Sequence, residues 1–171
     1  MYYNITKVEQ SGAKNHKIPK NDPFSIIKEG KMSFVGTYKH TLDSKKRVFI
    51  PSKFREELGD EFYITRKFPD YLSIYTADDW EDFVEKISKL PEADAETLQD
   101  FVLGVAQKCV PDSNGRIILD EDLIKLVKIE KNIAFVGAGR QIRVFAEEVW
   151  NEREQNRDYE KMREIMRQYG L

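Results

Sequence analysis

The sequence predicts a fold of the α+β class that is mainly β, built from two tandem copies of one unit with short flanking helices. One observation is a set of short stretches rich in β-branched and aromatic residues, each bounded by turn-forming residues. The other is that the second half of the chain repeats the first half in the same order. A length of 171 residues and a hydrophobic share of 40% suit one domain made of two similar halves.

The repeat is clearest at a turn motif, Asp-Ser-x-x-Arg, which runs from Asp43 to Arg47 and again, 69 residues later, from Asp112 to Arg116. With an offset of 69, which becomes 70 after one extra residue in the hairpin, apolar residues fall on apolar residues. Examples are Ile64 and Ile133, Ile74 and Val144, and the pair Trp80 and Trp150. We therefore divide the chain into a basic extension at 1–33, a first repeat at 34–90, a linker helix with the second repeat at 91–150, and a charged helix at 151–171.

Each repeat has the same predicted order of elements: strand, turn, strand, helix, hairpin and helix. In the first repeat the strands lie at 34–40 and 48–50, and the hairpin joins 61–65 to 71–75. Pro51 suits the first turn of the short helix, and Phe54 and Leu58 follow at the i, i+4 spacing of a buried face. The closing helix begins near Thr76, before two acids. The second repeat supplies strands at 106–110 and 117–119, the helix residues Leu123, Leu126 and Val127, a hairpin that turns at 137–139, and a closing helix from 146.

The segments outside the repeats are less regular. Residues 1–33 combine lysines and turn formers with few apolar residues, which predicts a flexible basic extension. A helix from about residue 94 links the repeats after Pro91 ends the preceding helix. In the C-terminal helix an apolar stripe predicts packing on its own domain or, alternatively, against a neighbouring subunit. The stripe consists of Tyr159, Met162, Ile165, Met166 and Tyr169.

Composition excludes several function classes. With 28 basic and 30 acidic residues the formal charge is −2, so bulk positive charge cannot drive binding to nucleic acid. No apolar run approaches the ~18 residues of a membrane span, and the start lacks a secretory signal, so we expect no membrane partner. The single cysteine, Cys109, fits a reducing cytoplasm.

The chain also lacks the motifs of catalysis. His16, His40 and Cys109 are isolated from one another, so we expect no metal and no cofactor. The glycines at 137 and 139 suit a hairpin turn, because the third small residue of a dinucleotide loop is replaced by Ile142. No nucleophile stands in a recognisable Ser/His/Asp or Cys/His pattern. We therefore expect no enzyme and no small-molecule substrate.

A local basic cluster surrounds the first turn motif. Residues 39–55 hold six basic residues against one acid, although the whole chain is slightly acidic. Such segregation gives a mildly acidic protein a face that binds a polyanion. The basic residues are Lys39, Lys45, Lys46, Arg47, Lys53 and Arg55, whereas the second turn offers Arg116 with Lys108.

The paired turns allow two interpretations of their arginines. Asp43 and Asp112 are expected to accept hydrogen bonds from backbone N–H groups two residues on, which shapes tight turns. Arg47 and Arg116 either staple those turns or present a planar fork of donors to phosphate or to a guanine edge. Gly115 gives the second turn a residue that is free to take a positive φ.

The doubled motif resembles MraZ, a family of bacterial regulators associated with the division and cell-wall gene cluster. The resemblance covers about residues 34–150 and is carried by Phe34-x-Gly36-x-Tyr38, residues 40–55, Leu72-x-Ile74-Tyr75 with Trp80, and Asp112-x-x-Gly115-Arg116. It implies the pseudo-two-fold swapped-hairpin barrel of AbrB and MazE proteins, with both halves in one chain. It also implies a ring-shaped homo-oligomer in the cytoplasm, on the nucleoid, that binds short G-rich direct repeats upstream of its own gene cluster.

The chain departs from the family pattern at several positions. Lys46 stands where a glycine precedes the first arginine, and Leu119-Asp120 replaces an apolar–proline pair. Asp100 stands where the family tends to have arginine, Arg143 stands where an acid is usual, and Phe145 replaces a tryptophan. The family usually begins near Met32, so residues 1–31 are additional: either Met32 is the true start, or the chain is a divergent paralogue with an added basic arm. We expect the changes at Asp100 and Arg143 to affect subunit contacts more than DNA contacts.

The sequence thus predicts a sequence-specific regulator that binds double-stranded DNA, and the resemblance points to a repressor. Arg47 is expected to read a base edge, with guanine as its partner, and Arg116 is the second candidate. The phosphate contacts are assigned to Lys39, Lys45, Lys46 and Arg55. The alternative is an oligomeric protein-interaction module with weak, non-specific affinity for DNA. An enzyme would require a deep pocket with convergent polar groups.

Overall fold

The structure, a computed structural model, describes residues 34–171, so the predicted extension at 1–33 lies outside the described residues. The strands are β1 (Thr37–Thr41), β2 (Arg47–Phe49), β3 (Phe62–Phe68), β4 (Tyr71–Thr76), β5 (Gln107–Cys109), β6 (Arg116–Ile118), β7 (Asn132–Gly137) and β8 (Ile142–Ala146). The helices are α1 (Ser52–Leu58), α2 (Ala77–Ser88), α3 (Glu92–Val102), α4 (Glu121–Leu126), α5 (Glu147–Gln155) and α6 (Tyr159–Tyr169), with a 3₁₀ turn at Leu103–Val105.

Six of these strands form one antiparallel sheet in the order β1-β7-β8-β4-β3-β5. Each repeat forms the hairpin that the sequence predicts, β3 with β4 and β7 with β8. The first strand of each repeat instead pairs with the hairpin of the other repeat, β1 with β7 and β5 with β3. The two repeats are therefore interleaved, and the β4–β8 pair joins the two hairpins.

The α+β class with a mainly antiparallel sheet is confirmed, but a closed barrel is not observed. Strands β1 and β5 are the two ends of the sheet order and do not pair with each other within residues 34–171. The three-residue strand β5 contacts the separate β2–β6 pair through a side chain, because Gln107 donates from Nε2 to the Ile118 carbonyl (2.7 Å). An AbrB- or MazE-like barrel therefore stays a prediction.

One hydrophobic core draws on both repeats. Phe54 and Leu58 of α1, together with Leu123 and Val127 in and after α4, are at most 3% exposed, as their helical spacing predicts. They belong to a single cluster with apolar residues of both hairpins. Full burial of such a side chain contributes about 1.5–3 kcal/mol to folding. Because the core is shared, the two repeats stabilise each other.

The helices that follow the hairpins cover the other face of the sheet. Trp80 of α2 packs with Tyr75, Ile87 and Val102, and its ring stacks on Tyr63 at a centroid distance of 5.1 Å. The N-terminus predicted at Thr76 is confirmed, since its hydroxyl accepts a hydrogen bond from the Asp79 N–H (3.1 Å). Within residues 34–171 no helix is both long and apolar enough to cross a bilayer.

The prediction of one charged helix at 151–171 is wrong, and so is the first of the two alternatives for its apolar stripe. The segment forms two helices, because the chain leaves α5 at Asn156 and begins again at Asp158, whose carboxylate accepts from the Lys161 N–H (2.9 Å). The apolar stripe of α6 does not pack on its own domain: Tyr159 is 61% exposed and Tyr169 is 70% exposed. This break places α6 outside the hydrophobic clusters of the described residues.

Candidate nucleic-acid interface

The two turn motifs meet at a two-stranded antiparallel ribbon of β2 and β6. Its register pairs Arg47 with Ile118, Val48 with Ile117 and Phe49 with Arg116. Val48 and Ile117 are equivalent residues of the two repeats, so a local two-fold axis passes between them. Two flanking backbone hydrogen bonds follow the same symmetry, from the Ile50 N–H to the Gly115 carbonyl (3.0 Å) and from the Leu119 N–H to the Lys46 carbonyl (2.9 Å).

Successive residues of the ribbon point to opposite faces, as in any β-strand. Val48 and Ile117 are 1% and 4% exposed and belong to the shared core. The outer face therefore carries Arg47, Phe49, Arg116 and Ile118. Each arginine on this face lies opposite an apolar side chain of the other strand.

The first turn is built around the Asp43 carboxylate. Its Oδ1 accepts hydrogen bonds from the backbone N–H groups of Lys45 (2.8 Å) and Arg47 (2.9 Å). Its Oδ2 accepts from Arg47 Nε (2.8 Å), and Arg47 Nη2 lies 2.7 Å from the same oxygen. The predicted role of Asp43 in shaping the turn is consistent with all four interactions.

The second turn reproduces this network. Asp112 Oδ1 accepts from the N–H groups of Asn114 (2.9 Å) and Arg116 (3.0 Å), and Asp112 Oδ2 accepts from Arg116 Nε (2.9 Å). The ion pair from Arg116 Nη2 measures 2.8 Å. Two turns that share no backbone segment thus hold their arginines in the same way.

Both aspartates are held in the charged form. The side-chain hydrogen bond from Arg47, followed by the backbone hydrogen bond from the same residue, lowers the pKa of Asp43 from 3.8 to about 2. The side-chain hydrogen bond from Arg116 is likewise the largest cause of the lowered pKa of Asp112. Neither arginine loses its partner charge anywhere near neutral pH.

The ion pairs leave one edge of each guanidinium available. Within residues 34–171 Arg47 and Arg116 direct Nε and Nη2 to their aspartates, and Nη1 forms no hydrogen bond. The side chains are 32% and 24% exposed, so neither arginine is fully buried by its ion pair. The two interpretations of these arginines are therefore compatible. The ion pair with the aspartate staples the turn, and it also orients the open edge of the guanidinium.

The two turns share a backbone conformation and differ in the residue that adopts it. Lys46 has a φ of 60° and its counterpart Gly115 a φ of 76°, so both occupy the left-handed region. That region costs a residue with a Cβ roughly 1–2 kcal/mol, whereas glycine adopts it freely. The first turn thus carries a second lysine at the cost of local strain.

Arg55 lies at the second turn, although the sequence groups it with the first. A Cβ added to Gly115 would collide with the Arg55 guanidinium. Gly115 therefore suits the positive φ and leaves room for the close approach of Arg55. The Nε of Arg55 is buried without a hydrogen-bond partner in the described residues. Helix α1 of one repeat thereby adds a cation to the turn of the other.

The lysines divide into two groups. Lys45 is exposed and Lys46 half-buried on the first turn, and neither forms an ion pair with another described residue. Lys39 lies on β1, where its Nζ pairs with Glu147 Oε1 (2.6 Å) and approaches Asn151 Oδ1 (3.3 Å). The structure thus engages Lys39 with helix α5, and a phosphate contact from Lys39 requires it to leave these partners.

Sequence reasoning missed three residues of this surface. Phe49 and Ile118 flank the arginines on the outer face, which the i, i+2 alternation after Arg47 and Arg116 could have shown. Gln107 connects β5 to the ribbon, because its Oε1 also accepts from the Asp120 N–H (3.0 Å). Beside the ribbon lies an open groove of about 440 Å³, lined by both arginines, Ile118 and Val110 among others.

The remaining departures from the family pattern lie elsewhere. Asp100 is exposed on α3, and Arg143 on β8 places its guanidinium 5.3 Å from the Tyr71 ring centroid. Arg143 Nε is buried and has no hydrogen-bond partner among the described residues. Neither residue belongs to the ribbon or its turns.

Side chains that could bind a metal ion are not clustered in the described residues. No group of three or more His, Cys, Asp or Glu side chains between residues 34 and 171 could hold an ion. Cys109 is a buried free thiol, and desolvation raises its pKa to about 12.

Comparison with known proteins identifies the family of this chain. Residues 33–102 and residues 102–167 each match the family model described as "MraZ protein, putative antitoxin-like". The chain is 40% identical over 126 residues to the transcriptional regulator MraZ of Caldanaerobacter subterraneus subsp. tengcongensis, which covers 72% of this chain and 88% of that relative. The MraZ of Clostridium tetani is 38% identical over 141 residues, covering 81% and 99%. The MraZ of Oenococcus oeni is 39% identical over 121 residues, covering 70% and 85%. The chain therefore belongs to the MraZ family.

Proposed function

We propose that this chain is a sequence-specific regulator of transcription that binds double-stranded DNA through the β2–β6 ribbon. The observation that carries the proposal is the outer face of the ribbon, where two arginines are each held by an aspartate at one edge and open at the other. A two-stranded ribbon fits the major groove of B-DNA. The transcriptional-regulator names of the relatives support this functional class.

The open edges of Arg47 and Arg116 suit guanine, whose O6 and N7 accept a bidentate pair of hydrogen bonds. The two arginines are diagonal neighbours across the ribbon. Diagonal neighbours lie roughly 7–8 Å apart, which corresponds to about two base-pair steps of 3.4 Å. The ribbon therefore suits a short G-rich sequence.

The phosphate contacts come from the turns. Lys45 and Lys46 extend the ribbon at the first turn, where the second turn has the uncharged Asn114 and Gly115. Arg55 lies beside the second turn and supplies part of the positive charge that this turn lacks. Because the first turn carries more charge, we assign it the larger share of the salt-dependent affinity.

The resemblance extends the proposal to assembly and target. A ring-shaped homo-oligomer with head-to-tail interfaces presents its ribbons in the same sense, which suits direct repeats spaced by roughly 10 bp. Linking several weak contacts raises avidity about 10²–10⁴-fold. In this account the protein acts in the cytoplasm on the nucleoid, and represses the division and cell-wall gene cluster from its own promoter. The AbrB-like barrel, with both halves in one chain, belongs to the same proposal.

One observation favours the second candidate, a protein-interaction module with weak affinity for DNA. The apolar stripe of α6 is exposed, with Ile165 at 45% and Met166 at 54%. An exposed stripe of this kind is typical of a surface that binds another protein. The two functions differ in whether the protein distinguishes one DNA sequence from another.

Fluorescence anisotropy tests this difference. The purified full-length protein is titrated, over a series of salt concentrations, into DNA from upstream of its own gene and into scrambled DNA of equal length. Regulation predicts a preference for the upstream DNA of at least ~10³-fold, retained as salt rises. Equal and weak binding to both DNAs, lost together as salt rises, would establish the interaction module instead.

A further inference from the structure

We infer that Phe49 and Ile118 read thymine in the target DNA, each through an apolar contact with the thymine 5-methyl group beside the guanine that the facing arginine binds. The inference rests on the proposed function, because it requires the ribbon to lie in the major groove. It adds two specificity-determining residues and a second base to the recognition.

The two side chains are unusual for their position. Phe49 is 47% exposed and Ile118 is 62% exposed, whereas the residues between them and the arginines, Val48 and Ile117, are buried. On the solvated face of a ribbon the ordinary occupants are polar. The same equivalent position is apolar in both repeats and lies on the same face as both arginines.

The register couples each apolar residue to one arginine. Ile118 lies opposite Arg47, and Phe49 lies opposite Arg116. Directly opposed residues on one face have Cβ atoms about 4.5–5.5 Å apart. The Arg116 guanidinium lies 5.7 Å from the centroid of the Phe49 ring, so this pair is in contact already in the free protein.

This spacing matches neighbouring base pairs. When an arginine binds the O6 and N7 of a guanine, a side chain about 5 Å away meets the next base pair, at a rise of 3.4 Å. In the major groove thymine is distinguished by its C5-methyl group, which apolar side chains contact. A phosphate or a cytosine amino group would leave Phe49 and Ile118 without a suitable partner.

The local two-fold axis gives the inference a definite pattern. Each half of the ribbon offers a donor fork and an apolar side chain side by side, and the axis between Val48 and Ile117 exchanges the two halves. We therefore expect each guanine that is read by an arginine to adjoin a thymine on one of the two strands.

The test removes the methyl group alone. DNA from upstream of the gene is prepared once with thymidine and once with deoxyuridine, and the affinity ratio of the two is measured by anisotropy. Loss of one buried methyl contact corresponds to about a fourfold loss of affinity. The proteins compared are the wild type, the double variant Phe49→Ala/Ile118→Ala and the control Phe68→Ala. The control removes an aromatic side chain of similar exposure (52%) from β3.

The wild type and Phe68→Ala should bind thymidine DNA at least fourfold more tightly than deoxyuridine DNA, and the double variant should bind the two about equally. Equal binding of both DNAs by the wild type, with its preference over scrambled DNA intact, would overturn the inference but not the proposed function. A ratio unchanged in the double variant would overturn the assignment to Phe49 and Ile118. If the wild type showed no preference for the upstream DNA over scrambled DNA, both the inference and the proposed function would be overturned.

Discussion

Val48 lies directly opposite Ile117 in the ribbon, and the two residues occupy the same position in the two repeats. A duplicated sequence has thus formed a symmetric structure inside one chain, with the axis of symmetry at this pair. Both side chains are buried in the core that the repeats share. The ribbon, and with it the pair of arginines on its outer face, exists only when both repeats are folded together.

This relationship predicts that two adjacent isoleucines differ sharply in their contribution to stability. Ile117→Ala should lower the free energy of unfolding by about 2–5 kcal/mol, because it opens a cavity at the axis of the ribbon. Ile118→Ala, one residue along on the exposed face, should change it by less than about 0.5 kcal/mol. Urea denaturation followed by circular dichroism measures both, and similar losses in the two variants would contradict the register described here.

The strained turn predicts a substitution that stabilises the protein and weakens DNA binding. Lys46→Gly should raise the free energy of unfolding by about 1 kcal/mol, because glycine adopts the φ of 60° without a steric penalty. The same variant should reduce the slope of log affinity against log salt by about one. The matched control is Lys45→Gly, which removes the same charge from a residue whose φ is not positive.

Both Lys46→Gly and Lys45→Gly should reduce the salt slope, and Lys46→Gly alone should become more stable. Thermal or urea unfolding of the two variants decides the point. A Lys46→Gly variant less stable than the wild type would show that the lysine side chain contributes more than its backbone strain costs.

The aspartates predict acid sensitivity below pH 4. A carboxyl group whose pKa is lowered on folding stabilises the native state above its unfolded pKa, and this contribution is lost as the pH falls through the folded value. For Asp43 the loss should occur between about pH 4 and pH 2, and Asp112 should act in the same direction. The melting temperature of Asp43→Asn/Asp112→Asn should therefore fall less steeply over this range than that of the wild type. Asp60→Asn, which changes an exposed acid outside both turns, is the control.

The burial of Cys109 predicts that its thiol reacts slowly in the native protein. Cys109 is 3% exposed, and burial raises its pKa to about 12, so the thiol stays protonated and shielded at pH 8. A thiol reagent such as iodoacetamide should modify it slowly in the native protein and rapidly in urea. Rapid modification without denaturant would contradict the packing of β5 against β3.

Local patterns in the sequence predicted the local structure well. The spacing of Phe54 and Leu58 identified a buried helix face, and the doubled motif identified two turns with the same hydrogen bonds. Such features depend on residues close together in the chain. What the patterns could not show is which strands pair between the repeats, because the repeats are alike and each strand has two equivalent candidates.

Two basic side chains have contacts that the sequence did not predict, for the same physical reason. Lys39 and Arg55 belong to the basic cluster in the sequence, yet their partners are Glu147 and Gly115, more than 50 residues away. These contacts arise from the interleaving of the repeats and leave no local signal. The stripe on α6 left burial on its own domain and contact with a neighbouring subunit as alternatives, because an amphipathic pattern does not reveal whether its partner belongs to the same chain.

The central claim is that Arg47 reads a base, and a base-preference profile of Arg47→Ala tests it most directly. Binding is measured to a panel of upstream DNAs, each changed at one base pair, beside the wild type and Arg163→Ala, which removes an exposed arginine from α6. We predict that Arg47→Ala loses about 1–3 kcal/mol of binding free energy and becomes indifferent to the base at one position, while Arg163→Ala keeps the full profile. A uniform loss of affinity for every DNA in the panel, with the base preferences of the wild type intact, would contradict the account.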